Sequence, residues 1–94
     1  MHLVEINRDM DHAGMSALRP SFDELARGSQ DVCLDLANVE FLDSAGLSQM
    51  SSLFHALRQR SLQMAIVRAH GQPLRLLRDS ALARTGVRLQ CKAA

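Results

Sequence analysis

Apolar positions change period several times along the chain, and each change marks an element. Leu3 to Asn7 reads as a short strand, and Asp9, Asp11 and Gly14 then mark a turn. Met15, Leu18, Phe22 and Leu25 follow at spacings of three, four and three, which is one face of a helix. Pro20 lies inside that stripe, where a missing N–H and a ring clash predict a shortened or kinked helix. Gly28 and Ser29 end it. From Asp31 to Leu36 the pattern alternates. Val32, Leu34 and Leu36 face one way and Asp31, Cys33 and Asp35 the other, predicting a half-buried strand.

Beyond Asp43-Ser44, the residues Leu47, Met50, Phe54 and Leu57 repeat at three, four and three, with Leu53 widening the stripe. This second helix carries Ser48, Gln49, Ser51, Ser52, His55 and Arg58 on its other sides. Leu62 to Val67 is an apolar strand. Gly71-Gln72-Pro73 opens a third helix, with Pro73 in the first turn, where it is tolerated. Leu74, Leu77 and Ala81 form its stripe and Gly86 its stop. Val87, Leu89 and Cys91 alternate with Arg88 and Gln90 as a last strand, and three further residues leave no room for another helix.

Strands alternating with helices over short connections imply right-handed crossovers and at least three parallel strands, with the direction of the opening strand left open. The expectation is an α/β (or α+β) fold. A small mixed, mainly parallel sheet of four to five strands carries about three helices, in a single domain over 1–94 without internal repeat or linker.

Composition narrows the class. The chain is 47% hydrophobic and 22% charged, which suits a packed fold rather than disorder. Aromatics are 3%, all phenylalanine, so Leu, Val, Ile, Met and Ala build the core, with Met15, Met50 and Met64 as filler. No apolar run reaches the roughly 18 residues of a membrane span, and the N-terminus does not resemble a signal peptide. Two distant cysteines without a CxxC pair fit a reducing compartment, so cytoplasm is expected, with no membrane insertion. Residues 1–54 hold three arginines against nine carboxylates, whereas residues 55–94 hold seven arginines and Lys92 against Asp79. The halves are expected to interleave and pair. Basic residues spread without aromatics give no nucleic-acid signature. His2, His12, His55 and His70 show no ligand spacing, so no metal site and no cofactor is expected.

The chemistry concentrates at Asp43-Ser44-Ala45-Gly46-Leu47. Ser44 stands where a strand gives way to a helix, and its hydroxyl there suits an ordinary N-cap. Gly46 permits close backbone approach or eases the turn. As a nucleophile elbow the site fails, because Leu42 occupies the first glycine position; S-x-x-K fails at Leu47. None of the four histidines is a local base for Ser44, so no catalytic residue is assigned and the chain is read as not an enzyme, with an esterase the least favoured function.

The segment from Cys33 to Leu47, Cys-Leu-Asp-Leu-Ala-Asn-Val-Glu-Phe-Leu-Asp-Ser-Ala-Gly-Leu, resembles the signature of the STAS domain family. Leu82-Ala83-Arg84-Thr85-Gly86-Val87 is similar to the family's later Leu-x-x-Thr-Gly-apolar turn, and the likeness covers most of residues 3–91. The resemblance implies an anti-sigma factor antagonist of bacterial signalling. It implies phosphorylation of Ser44 by an anti-sigma factor that is also a serine kinase of the histidine-kinase-like ATPase type. The unmodified form would bind that kinase, and a metal-dependent serine phosphatase would reset it. Partner contacts are expected at Asp43, Ala45, Gly46, Leu47, Ser48 and Ser51. The chain departs from the family pattern at Arg8, which stands at a usual glycine, and lacks the C-terminal helix of many members; apolar surface left there would suit a partner or a homodimer. The alternative implied by the resemblance is an accessory subunit of a phospholipid-transport ABC system, although such proteins tend to carry threonine and glycine in this turn.

Overall fold

A computed structural model describes residues 1–85 and 87–90. Among these residues four strands, β1 (His2–Glu5), β2 (Val32–Asp35), β3 (Met64–Val67) and β4 (Arg88–Gln90), form one sheet in the order β1-β2-β3-β4. Every pairing is parallel, so the opening strand, whose direction the sequence left open, runs with the others. Three helices connect them: α1 (His12–Arg27), α2 (Ser44–Gln59) and α3 (Gly71–Asp79). A short 3-10 turn, Ala81–Arg84, follows α3. The predicted stop at Gly86 and the continuation through Cys91 lie outside the described residues.

The register explains the alternation. Val4, Leu34, Ile66 and Leu89 align across the four strands, and Val32 aligns with Met64. These side chains join Met15 and Phe22 of α1, Met50, Leu53, Phe54 and Leu57 of α2, and Leu77 of α3 in one core. The three filler methionines are all buried. Burying a side chain of this size is worth about 1.5–3 kcal/mol, which is why short strands without intrinsic stability hold together.

Three expectations need correction. Of the two outcomes expected at Pro20, shortening does not occur, since α1 continues to Arg27. Pro20 and Ser16, whose carbonyl loses its helical donor, are both exposed, so water can take the missing partner's place. β2 is not half-buried: Cys33 and Asp35 are buried with Val32 and Leu34; on this inner strand of the sheet Asp35 is paired with Arg68, and Cys33 is a short side chain between the flanking strands. Ala81 leaves the α3 stripe, since the helix stops at Asp79 and the 3-10 turn buries Leu82 instead.

One short pattern recurs along the chain. Asp11-His12-Ala13-Gly14-Met15 and Asp43-Ser44-Ala45-Gly46-Leu47 share Asp-x-A-G-apolar, and each opens a helix with its aspartate as cap. The residues just before them, Met10 and Leu42, form a parallel bridge. The two helix starts therefore lie side by side. Both glycines are required by space: a Cβ on Gly14 would sit 1.9 Å from Asp9 O, and one on Gly46 would sit 2.3 Å from Met10 O.

Candidate functional site

After Asp35 the chain loops through residues 36–41 and returns at Leu42 to lie beside Met10. Met10 N–H donates to Phe41 O at 3.0 Å and Asp43 N–H donates to Met10 O at 3.2 Å. Asp9 Oδ1 accepts from Glu40 and Phe41 N–H at 3.1 and 3.2 Å, tying the loop to the strand extension. The turn thus leaves at the carboxyl end of the parallel strands, the end where open α/β sheets place their binding sites.

Asp43, not Ser44, is the N-cap of α2. Its backbone is extended (φ −114°, ψ −171°), and Oδ1 accepts from Ala45 N–H at 2.8 Å and from Gly46 N–H at 3.3 Å. Its second oxygen, Oδ2, accepts from His12 N–H, the first residue of α1, at 3.2 Å. Ser44 is therefore the first helical residue, exposed, and its hydroxyl makes no hydrogen bond among the described residues. The reading of this serine as a cap is overturned. An aspartate one position earlier already satisfies the orphan amides, and the hydroxyl is left outward.

Among the residues expected to meet a partner, Ser48 is exposed, while Asp43, Ala45, Leu47 and Ser51 are half-buried. Gly46 is buried against Met10, so its role is close approach rather than exposed surface. Ser44, Leu47, Ser48 and Ser51 share a shallow groove of about 330 Å³ whose other wall is Ser80, Ala81 and Leu82. A larger groove of about 690 Å³ lies at the opposite end of the sheet, between His2, Val4 and the end of α1. That second groove is remote from the motif and is not part of the site.

Phe41, Gln72 and the Asp35–Arg68 pair are not singled out by the sequence. Phe41 keeps 44% of its surface exposed two residues before Asp43. An exposed phenylalanine where aromatics are this scarce was the available signal. Gln72 of α3 donates to Leu42 O at 2.7 Å and accepts from Leu42 N–H at 2.8 Å. Asp35 is buried and paired with the half-exposed Arg68, whose Nε lies 3.1 and 3.2 Å from its two oxygens while a guanidinium NH₂ bonds Oδ2. The Arg68 bonds hold the Asp35 carboxyl below the ordinary carboxylate range; burial opposes them, and Ala37 N–H adds to the lowering. Burial, then the Asp35 charge, pushes the Cys33 thiol up, which favours the protonated form. The pair joins the acidic and basic halves, as does Arg60 donating to Ala26 O at 2.8 Å. All four histidines are exposed, and no cluster of three or more metal-ligating side chains exists among the described residues. Among those residues no helix is long and apolar enough to cross a membrane.

A profile of the STAS domain family matches residues 2–90. The chain belongs to the STAS domain family. A crystal structure of a candidate anti-sigma factor antagonist from Thermotoga maritima superposes with a TM-score of 0.80 at 23% sequence identity, covering 94% of this chain and 78% of that one. At that identity the likeness establishes a common fold. No curated protein matches the chain.

Proposed function

We propose that this protein is an anti-sigma factor antagonist of the phosphorylatable kind, with Ser44 as the modified residue and no catalytic activity of its own. The observation that carries the reading is the outward Ser44 hydroxyl, freed from capping by Asp43. Family membership supports it. In this reading a cytoplasmic anti-sigma factor that is also a serine kinase of the histidine-kinase-like ATPase type docks on the turn, using Phe41, Ser44, Leu47, Ser48 and Ser51. A metal-dependent serine phosphatase restores the unmodified form.

Phosphate on Ser44 adds about −1.5 to −2 charges and three acceptor oxygens. The start of α2 tolerates that charge, with a gain of about 0.3–1 kcal/mol, while the neighbouring Asp43 carboxylate opposes it. The domain therefore stays folded, and the effect falls on docking. A penalty of about 3 kcal/mol against the partner lowers affinity more than a hundredfold, about ten for each 1.4 kcal/mol.

The test is incubation with ATP and a purified cognate serine kinase of the histidine-kinase-like ATPase type, followed by mass spectrometry of the wild type and Ser44→Ala. A phosphate on Ser44 that Ser44→Ala abolishes is expected, together with weaker kinase binding by Ser44→Asp in calorimetry. Absence of phosphate on Ser44 overturns the proposal. A complex with a permease-associated ATPase in its place would mark the transport-subunit role instead.

A further inference from the structure

At the site a single bridge extends the strand pairing among the described residues, and Leu42 is its member on the α2 side. Phe41 C=O and Asp43 N–H are used by Met10, so the N–H and C=O of Leu42 point to the opposite side. In a wider sheet another strand would meet them there. Gln72 takes that strand's place: its carboxamide offers one acceptor to Leu42 N–H at 2.8 Å and one donor to Leu42 O at 2.7 Å. The Leu42 side chain is wholly buried and its bonds to Gln72 are part-buried, so losing the carboxamide leaves two backbone groups poorly satisfied.

The same connection grips the loop at two earlier points. Arg68 holds Asp35, and His70 Nε2 lies 2.9 Å from Ala37 O. Arg68 (φ 59°) and Gly71 (φ 58°) are both left-handed, and these turns let residues 68–72 run back along the loop. Gln72 itself is anchored by the buried Pro73 beside it in the first turn of α3. Of the three grips, only that of Gln72 acts next to Asp43-Ser44.

We infer that Gln72 is a positioning residue for the Ser44 turn: by holding both backbone groups of Leu42 it sets the direction in which the chain enters α2, and so where the Ser44 hydroxyl is presented. Its effect on phosphorylation rests on the function proposed above; its effect on the turn does not.

The experiment is amide hydrogen exchange by NMR on the whole chain, comparing wild type, Gln72→Leu and Gln72→Glu. Gln72→Glu keeps the acceptor for Leu42 N–H and loses the donor to Leu42 O. In Gln72→Leu the Leu42 amide is expected to exchange at least about fivefold faster, the factor carried by a hydrogen bond of ordinary net strength. Ala45 and Gly46, capped by Asp43, follow it, whereas Leu34 and Ile66 in the sheet stay within about twofold of wild type. Gln72→Glu retains the Leu42 protection, a distinction that general destabilisation would not produce. Unchanged exchange at Leu42, Ala45 and Gly46, or equal acceleration at Leu34 and Ile66, overturns the inference; should Gln72→Leu fail to fold, loss of Leu42 protection in Gln72→Glu overturns it as well. In a parallel arm, the initial rate of Ser44 phosphorylation is expected to fall in the order wild type, Gln72→Glu, Gln72→Leu. Equal rates for the three overturn positioning of the hydroxyl, whereas no phosphate on the wild type counts only against the function and leaves the exchange result decisive.

Discussion

Asp43 and His12 join the starts of two different helices. While Oδ1 of Asp43 caps its own helix, Oδ2 receives the N–H of His12, the first residue of α1, at 3.2 Å. One carboxylate thus satisfies orphan amides from both helix starts, and it can do so because Met10 and Leu42 are bridged immediately before them. Ser44 stands at the matching place in the second copy of this arrangement. Its freedom to meet another molecule follows from its neighbour's work.

Replacing Asp43 by alanine removes three accepted hydrogen bonds. A single lost N-cap costs about 0.5–2 kcal/mol, and the additional bond to α1 places this variant toward the upper end. The asparagine of Asp43→Asn keeps one acceptor oxygen, so less is lost. Urea unfolding of the two variants is expected to rank Asp43→Ala below Asp43→Asn, and both below wild type.

Gly46→Ala sets two effects against each other. Alanine improves helix propensity by about 1 kcal/mol. Its Cβ, however, would lie 2.3 Å from Met10 O and 2.7 Å from Met10 Cβ, and a backbone oxygen cannot yield as a flexible side chain does. Overpacking of this sort costs about 1–3 kcal/mol, so net destabilisation is expected, measured as a lower midpoint in urea. A variant more stable than wild type would mean that the two helix starts separate easily.

Phe41→Ser tests the proposed docking face without touching the core. The ring is exposed, and its loop is held by backbone bonds to Asp9 and Met10 that do not involve it. Thermal stability is expected to remain near that of wild type, while affinity for the proposed kinase partner falls at least about tenfold, as for a truncated aromatic anchor worth more than about 1.4 kcal/mol. Calorimetric titration reads the change.

Asp35 gives stability a defined acid dependence. Its carboxyl titrates below the ordinary range in the folded protein because Arg68 favours the charged form. The unfolded chain therefore binds the proton more readily. Stability from this pair is complete above the ordinary carboxylate pKa of about 4 and is lost as pH falls below it through the lower folded value. In thermal melts between about pH 5 and about pH 2, the wild type is expected to lose more than Asp35→Asn does. Arg68→Ala, which leaves a buried carboxylate without its cation, lowers stability at neutral pH.

By itself the sequence determined which segments become helices and strands, the apolar stripes of the first two helices, and the turn 43–47 as the place to look. Those features are local: period and cap-forming residue types are read within a few positions. Tertiary structure decided matters that depend on residues brought together from far apart. Asp35 of β2 is buried on the face the alternation left outward, with Arg68, 33 positions on, paired against it. Pro20 is accommodated only because its helix face is exposed. Gln72 reaches Leu42 across 30 positions, and His12 reaches Asp43 across 31. That Ser44 is presented outward rather than spent as a cap is a local outcome of a different kind: Asp43 reaches the amides of Ala45 and Gly46, and which of two adjacent polar side chains satisfies a helix's first amides is settled by backbone geometry and not by residue type alone.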